Sequence, residues 1–362
     1  MGVRVIKVGV VGASGWAAGS HLPALAGLAE FEVAAVATTR RASVARVAEA
    51  HGVPLAFTDA AELVSHPDVG LVVVSVKAPG HAELIRAAVR AGKHVLSEWP
   101  LTVGPGEADE LARLATGAGV THAVCLQGYW SPDARFVADL LAGGRIGRVV
   151  SAALSASGAP FGGGSVPAEL EWATDPAGGS SILTIMAGHF LATFEAVVGE
   201  FAEVSARLPR RHDRITVAGT DRTVPNRTPD DVLVRGVLRD GATASVTVRG
   251  GSGSPDGFLF EVVGSRGTLT AVPTRPDHYP HWTDWEIRVD GEPVTVPAGY
   301  RRTPFGPAAG PVAGIAELYL EVARAIAEGR PPHPDFHTAA RLHRLLATIE
   351  AAARTGGTAP VR

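Results

Sequence analysis

The first residues able to do chemistry lie where the first apolar run stops. Val8–Val11 leads into Gly12-Ala13-Ser14-Gly15-Trp16-Ala17, and His21-Leu22-Pro23-Ala24-Leu25 follows on a helical pattern. A glycine at a tight turn, with small residues at the next two fingerprint positions (Ser14 and Ala17), lets a pyrophosphate approach the backbone. The helix start adds unpaired N–H groups and a positive dipole end. A strand before and a helix after supply the context of a dinucleotide site, so Gly12, Ser14, Gly15, Trp16 and Ala17 are expected cofactor contacts. The alternative is a glycine-rich turn without a ligand. The second strand ends in Ala37-Thr38-Thr39-Arg40-Arg41, with no carboxylate to read a ribose 2′-hydroxyl. Hydroxyls and a guanidinium suit a 2′-phosphate instead, so Thr38, Thr39 and Arg40 predict NADP(H) over NAD(H). Arg41 is equally at home on a solvated loop. Lys77 falls just past a strand's carboxyl end, where ligands lie in doubly wound sheets.

Other chemical residue types carry less. His278, His281, His333, His337 and His343 lie in Pro-rich segments or on a helix without a supporting carboxylate motif. They are expected to be surface residues, and no metal site is expected. Glu169 and Glu171 are two apart and have no evident opposing partner. Arg207, Arg210, Arg211 and Arg214 form a local basic run expected in a solvated loop.

Positioning these groups requires two kinds of architecture. Apolar runs at Val5–Val11, Val33–Ala37, Leu71–Val76, His94–Ser97 and Thr121–Leu126 alternate with helical patterns near 16–29, 43–51, 80–91 and 105–117. A short helix is expected at Asp59–Ser65 with Asp59 as its cap. Near-continuous apolar strands alternating with helices predict a parallel sheet covered on both faces. After a helix near 132–142, turn signals at Asp240-Gly241, Ser265-Arg266-Gly267 and Asp290-Gly291 separate alternating runs, which predicts hairpins. Gly158–Gly164 and Gly250–Gly257 are expected loops, and two helices are expected near 313–328 and 338–354. The fold class is therefore α/β: an N-terminal Rossmann doubly wound parallel sheet plus a C-terminal α+β domain with a mostly antiparallel sheet. The expected domains are 1–128 and 129–362, with the last helices, 313–354, packing back toward the N-terminal domain.

Composition agrees with a folded, two-domain chain. Hydrophobic residues make up 46% of 362 and charged residues 19%, far from a disordered composition. Lys+Arg 33 against Asp+Glu 36 gives a formal charge of −3, without the basic footprint of a nucleic-acid binder. One cysteine, Cys125, excludes an internal disulfide and a Cys-based zinc cluster. A reducing, cytoplasmic location is the expectation, with no membrane span.

Further segments carry a resemblance. Lys77-Ala78-Pro79-Gly80-His81, Gly92-Lys93-His94-Val95-Leu96-Ser97-Glu98-Trp99-Pro100, Gln127-Gly128-Tyr129-Trp130-Ser131-Pro132 and Gly144-Arg145-Ile146-Gly147-Arg148-Val149 occur in order. With the fingerprint and Phe260-Glu261-Val262-Val263-Gly264-Ser265-Arg266-Gly267-Thr268-Leu269, they resemble the Gfo/Idh/MocA oxidoreductases over nearly the whole chain. Within that family the chain is most similar to the branch containing the fungal galactose-pathway repressor. The resemblance implies an NAD(P)-binding Rossmann domain and a second domain for substrate and oligomerisation. It adds Val76, Lys77, Pro79, His81, Glu98, Trp99 and Gln127 as cofactor contacts, and Trp99, Tyr129, Trp130 and His189 as substrate contacts. It also implies a cis bond before Pro100 and a homodimer or homotetramer.

Two departures bear on function. The family's Glu-Lys-Pro lysine, which acts on the reacting carbinol, falls on Trp99, and the carboxylate of its Asp-x-x-x-His pair falls on Ile185; only His189 remains. Oxidising an alcohol requires a group to take the hydroxyl proton. By resemblance that relay falls to His189, Lys77 or Tyr129. Three functions follow: an NADP(H)-dependent oxidoreductase of a sugar or polyol-like molecule, a non-catalytic nucleotide- or sugar-binding regulator, and a cofactor-retaining enzyme that uses transient oxidation. The first is favoured because Lys77 and His189 preserve redox parts.

Overall fold

Uninterrupted apolar tetrads such as Leu71–Val74 cannot show a polar face to water, so they become strands covered on both sides. The computed structural model describes residues 5–158, 160–251, 257–275 and 279–361. Ala159 and residues 252–256 of the two expected glycine-rich loops, and His278, lie outside the described residues. The chain forms two compact units, Met1–Gln127 with Arg302–Arg341, and Gly128–Arg301 with Leu342–Arg362.

In the first unit, strands β1 (Ile6–Val11), β2 (Phe31–Ala37), β3 (Leu55–Phe57), β4 (Leu71–Val74), β5 (His94–Glu98) and β6 (His122–Cys125) make one parallel sheet. Its order is β3-β2-β1-β4-β5-β6. Val8, Val10 and all of β4 are at or near zero exposure, as the apolar runs require. Crossovers run through α1 (Trp16–Gly19), α2 (His21–Ala26), α3 (Arg41–His51), α4 (Ala60–Ser65), α5 (His81–Arg90) and α6 (Pro105–Gly117). Asp59 caps α4 as expected, accepting from Ala61 N at 2.8 Å. The helix expected over 16–29 is instead two short ones. Pro23 has no N–H to offer the preceding turn, so a second helix starts at His21 with the proline in its first turn. Strand β3 is only three residues long, too short for a periodicity to register.

The second unit begins with α7 (Pro132–Ala142) and contains α8 (Gly188–Val198). Its strands are β7 (Val149–Ser157), β8 (Ser165–Val166), β9 (Phe201–Arg207), β10 (Arg214–Val217), β11 (Thr223–Pro225), β12 (Asp231–Leu238), β13 (Thr243–Arg249), β14 (Leu259–Gly264), β15 (Thr268–Pro273), β16 (Trp285–Val289), β17 (Glu292–Val294) and β18 (Thr358–Pro360). Nine of them form one sheet, β17-β16-β15-β14-β7-β13-β12-β9-β18, antiparallel except for the β7–β13 pair. The three expected hairpins are β12–β13, β14–β15 and β16–β17. Alternation along β12 and β13 buries Val232, Val234, Val246 and Val248 on one face.

Helix α9 (Pro311–Glu328) belongs to the first unit and packs on α2, and α10 (Phe336–Thr355) follows it. Among the described residues no helix is long and apolar enough to cross a membrane.

Candidate functional site

In a sheet of order β3-β2-β1-β4-β5-β6 the crossovers leave to opposite sides between β1 and β4, which opens a crevice at the strands' carboxyl ends. Gly12 turns the chain there with φ +82°, and a Cβ at this position would lie 2.1 Å from Ser75 O. Only glycine lets the turn close on the segment after β4. The N–H groups of Gly12 and Ala13 donate to Ala37 O at 2.9 and 3.2 Å, tying the turn to the end of β2. Ser14, Gly15 and Trp16 are exposed above it, while Ala17 is fully buried below. The result is a backbone cradle cleared of side chains, which fits a dinucleotide phosphate.

Thr38, Thr39 and Arg40 follow β2. Thr38 Oγ1 donates to Arg40 O at 3.1 Å, and Thr39 and Arg40 are exposed. Val76, Lys77 and Pro79 lie on the segment after β4, where Lys77 is exposed and precedes the single turn Ala78–Gly80. His81 is buried, with Nδ1 2.9 Å from Pro100 O and Nε2 2.9 Å from Val76 O. Burial lowers its pKa, and the ring braces the segments after β4 and β5 against each other. The Trp99-Pro100 bond is cis, and Trp99 is 5% exposed. Gln127 is buried.

Beneath the turn runs a chain of polar groups from the exposed Trp16 to the buried His21 and Tyr319; the sequence pointed to Trp16 and Glu98 but not to His21 or Tyr319. Trp16 Nε1 donates to Glu98 Oε1 at 2.9 Å, His21 Nε2 lies 2.5 Å from the same oxygen, and His21 Nδ1 lies 2.8 Å from Tyr319 Oη. Tyr319 is fully buried, and burial pushes its phenol well above the usual range, so it stays protonated. Burial does the same to the thiol of Cys125.

His21, Glu98 and Cys125 are metal-ligating types whose ligand atoms lie within 4.8 Å of one another, as do those of His122, Asp335 and His337. The first set is closed by a hydrogen bond of 2.5 Å, shorter than the roughly 3.3 Å between two ligands on one tetrahedral zinc. In the second, Thr116 Oγ1 already hydrogen-bonds His122 Nε2 at 3.2 Å and His337 Nε2 at 2.9 Å.

In the second unit, Ile182–Ala187 is wound as a π-helix, a form common at functional sites. Its start is a capping box: Ser181 Oγ accepts from Thr184 N at 3.3 Å, and Thr184 Oγ1 accepts from Ser181 N at 2.7 Å. It delivers His189 at the start of α8, where the ring is buried and meets Tyr279 edge-on at 5.5 Å. Tyr129 and Trp130 are half-buried; one face of Trp130 is covered by Arg135, 5.2 Å from the ring centre. Phe190, Tyr279, His281, Trp282 and Trp285 complete an aromatic cluster around α8.

Two of the histidines expected at the surface are not there. His281 and His343 are 7% and 4% exposed, because their Pro-rich and helical segments fold inward. Glu171 is paired with Arg222 at 2.9 Å, and Arg211 of the basic run with Asp231.

Comparison with known proteins decides the family. Residues 6–126 match the model of the oxidoreductase family with an NAD-binding Rossmann fold, and residues 132–271 match the Gal80p C-terminal domain. The dTDP-3,4-didehydro-2,6-dideoxy-alpha-D-glucose 3-reductase of Actinomadura kijaniata is 31% identical over 294 residues, 81% of this chain and 83% of that one. The chain belongs to the Gfo/Idh/MocA oxidoreductase family. Dehydrogenase aclE of Aspergillus oryzae is 30% identical over 215 residues, so this chain spans 58% of that relative's length. Two solved structures share the fold over 99% of this chain. Levoglucosan dehydrogenase in complex with NADH and L-sorbose has TM-score 0.85, 21% identity and 99% coverage of its own chain. A super-repressor mutant of Gal80p from Saccharomyces cerevisiae has TM-score 0.86, 20% identity and 98% coverage of its chain. As a Gfo/Idh/MocA member the chain has an NAD-binding Rossmann sheet and a mostly antiparallel second sheet.

Proposed function

We propose that this chain is an NADP(H)-dependent oxidoreductase acting at a carbinol or carbonyl carbon of a sugar or polyol-like small molecule. The observation that carries the reading is the cradle at Gly12, whose clearance from Ser75 O a Cβ would destroy, in a chain of an oxidoreductase family. The nicotinamide, when bound, supplies or receives the hydride. Everything else falls to the chain's own residues.

Gly12, Ser14, Gly15, Trp16 and Ala17 hold the pyrophosphate; Thr38, Thr39 and Arg40 receive a ribose 2′-phosphate. Val76, Lys77, Pro79, Glu98, Trp99 and Gln127 line the nicotinamide half, and His81 keeps their segments in place through its bonds to Val76 O and Pro100 O. Trp99 has no basic nitrogen, so the carbinol proton passes through His189, with Lys77 and Tyr129 as further members of the relay. Trp99, Tyr129, Trp130 and His189 bound the sugar. Trp130 offers it one face only, since Arg135 covers the other. The site acts in a homodimer or homotetramer in a reducing cytoplasm. The test is a fluorescence titration with NADPH and NADH, followed by a screen of sugars for absorbance change at 340 nm.

A second reading has its own support. The match of residues 132–271 to the Gal80p C-terminal domain and the absence of the lysine favour a nucleotide-binding regulator. Binding of NADPH without turnover of any sugar is its signature.

A further inference from the structure

His281 leaves a hydrogen-bond account open. The ring is 7% exposed, and among the described residues neither Nδ1 nor Nε2 has a hydrogen-bond partner. Burial, then the neighbouring His189, holds its pKa down at about 3, so the ring is neutral, with one donor and one acceptor unmet. Unmet buried polar atoms are rare because each forfeits its bonds to water. Packing alone does not explain the choice of residue. The walls are Tyr279 at 4.7 Å, Phe190 at 5.5 Å and Trp285 at 6.0 Å, which would accept a phenyl ring as readily.

Gly128 fixes how the ring is turned. A Cβ there would lie 2.6 Å from both Cδ2 and Nε2 of His281 and 2.0 Å from Thr193 Oγ1. The Cδ2–Nε2 edge therefore faces the Gly128 backbone, and covalent geometry puts Nδ1 on the opposite edge. The Tyr279 ring neighbours both imidazoles, with centroids 5.5 Å from His189 and 4.7 Å from His281.

We propose that His281 is a specificity-determining residue of the sugar site, its Nδ1 hydrogen-bonding a hydroxyl of a bound polyol beside His189. This rests on the reading of His189 as a substrate contact and adds the residue that selects for hydroxyl groups. An imidazole kept neutral suits the task, because a hydroxyl can meet whichever of donor or acceptor Nδ1 presents. The ring is retained at a cost in stability that the ligand relieves.

The full-length chain, wild type, His281→Phe and His281→Asn, is titrated with L-sorbose and with levoglucosan in the presence of saturating NADPH. Binding is read by calorimetry, and melting temperature without sugar is read alongside. His281→Phe should melt at or above the wild-type temperature, bind NADPH unchanged and lose roughly ten- to hundredfold in sugar affinity, the range for one hydrogen bond left unmade in a buried site. His281→Asn, which keeps a donor and an acceptor, should recover part of that affinity. Equal sugar affinity in wild type and His281→Phe overturns the proposal while leaving the sugar reading intact, and the ring then faces only a buried water. Failure of the wild type to bind either sugar, with NADPH bound, removes the sugar reading and this proposal together.

Discussion

His21→Leu removes the middle of the Trp16–Glu98–His21–Tyr319 chain. The substitution keeps a side chain of similar reach and fills the buried position, so cavity formation contributes little. What is lost is the 2.5 Å bond to Glu98 Oε1 and the 2.8 Å bond to Tyr319 Oη. Tyr319 is fully buried and the Glu98 side chain is 12% exposed, so water replaces neither partner well. A hydrogen bond to an ionised group contributes about 1.5–3 kcal/mol, and breaking a buried ion pair costs about 3–5 kcal/mol. A domain of 150–250 residues shifts by about 2–4 °C per kcal/mol, so the first unit should melt about 3–20 °C lower. Calorimetry of wild type, His21→Leu, Glu98→Leu and the double variant isolates the coupling. A coupling below about 0.5 kcal/mol, the usual scatter for independent sites, would refute the network as a support for the end of β5.

Three more outcomes follow from buried charges and the nucleotide end. Burial raises the Asp133 carboxyl to about 6 from 3.8, although it accepts from Trp285 N at 3.1 Å. A raised folded pKa means that the native state binds the extra proton, so this group's share of stability falls by about 3 kcal/mol as pH rises from 4 to 6; Asp133→Asn should flatten that part of a denaturation-versus-pH curve. His122 and His281 are held down at about 4 and about 3, chiefly by burial, so their contribution is present above pH 6.5 and lost as pH falls toward 4 and then 3. His281→Phe should lower proton uptake on acid unfolding by about one, and an unchanged uptake would contradict the burial argument. Arg40→Ala should weaken NADPH by roughly ten- to hundredfold, about 1.5–3 kcal/mol, and leave NADH within about twofold; equal effects on both cofactors would contradict 2′-phosphate reading.

The nucleotide half was legible because its signals are local. Gly12 to Ala17 follow one strand and open one helix, and the Asp-Gly turns declare β12–β13 and β16–β17 within a few residues. His21 was hidden for the opposite reason. Its partners, Glu98 and Tyr319, stand 77 and 298 residues away, and nothing in His21-Leu22-Pro23 hints at either. His281 misled because a Pro-rich segment usually lies at the surface, whereas here it turns into an aromatic cluster built from α8 and β16. The parallel β7–β13 pairing inside an otherwise antiparallel sheet had no sequence signal, since register and direction come from tertiary packing. The break at Ser20 was readable in principle from Pro23.

The most direct test of redox function is a single experiment on two proteins. Wild type and His189→Ala are saturated with NADP+ and mixed with levoglucosan and other polyols, and NADPH formation is followed at 340 nm. Wild type should turn over at least one of them, and His189→Ala should be slower by roughly 10²–10⁴-fold with NADP+ affinity unchanged, the range for a general base. Bound cofactor with no turnover of any polyol by wild type would contradict the oxidoreductase reading in favour of a regulator, and full turnover by His189→Ala would take histidine out of the proton relay.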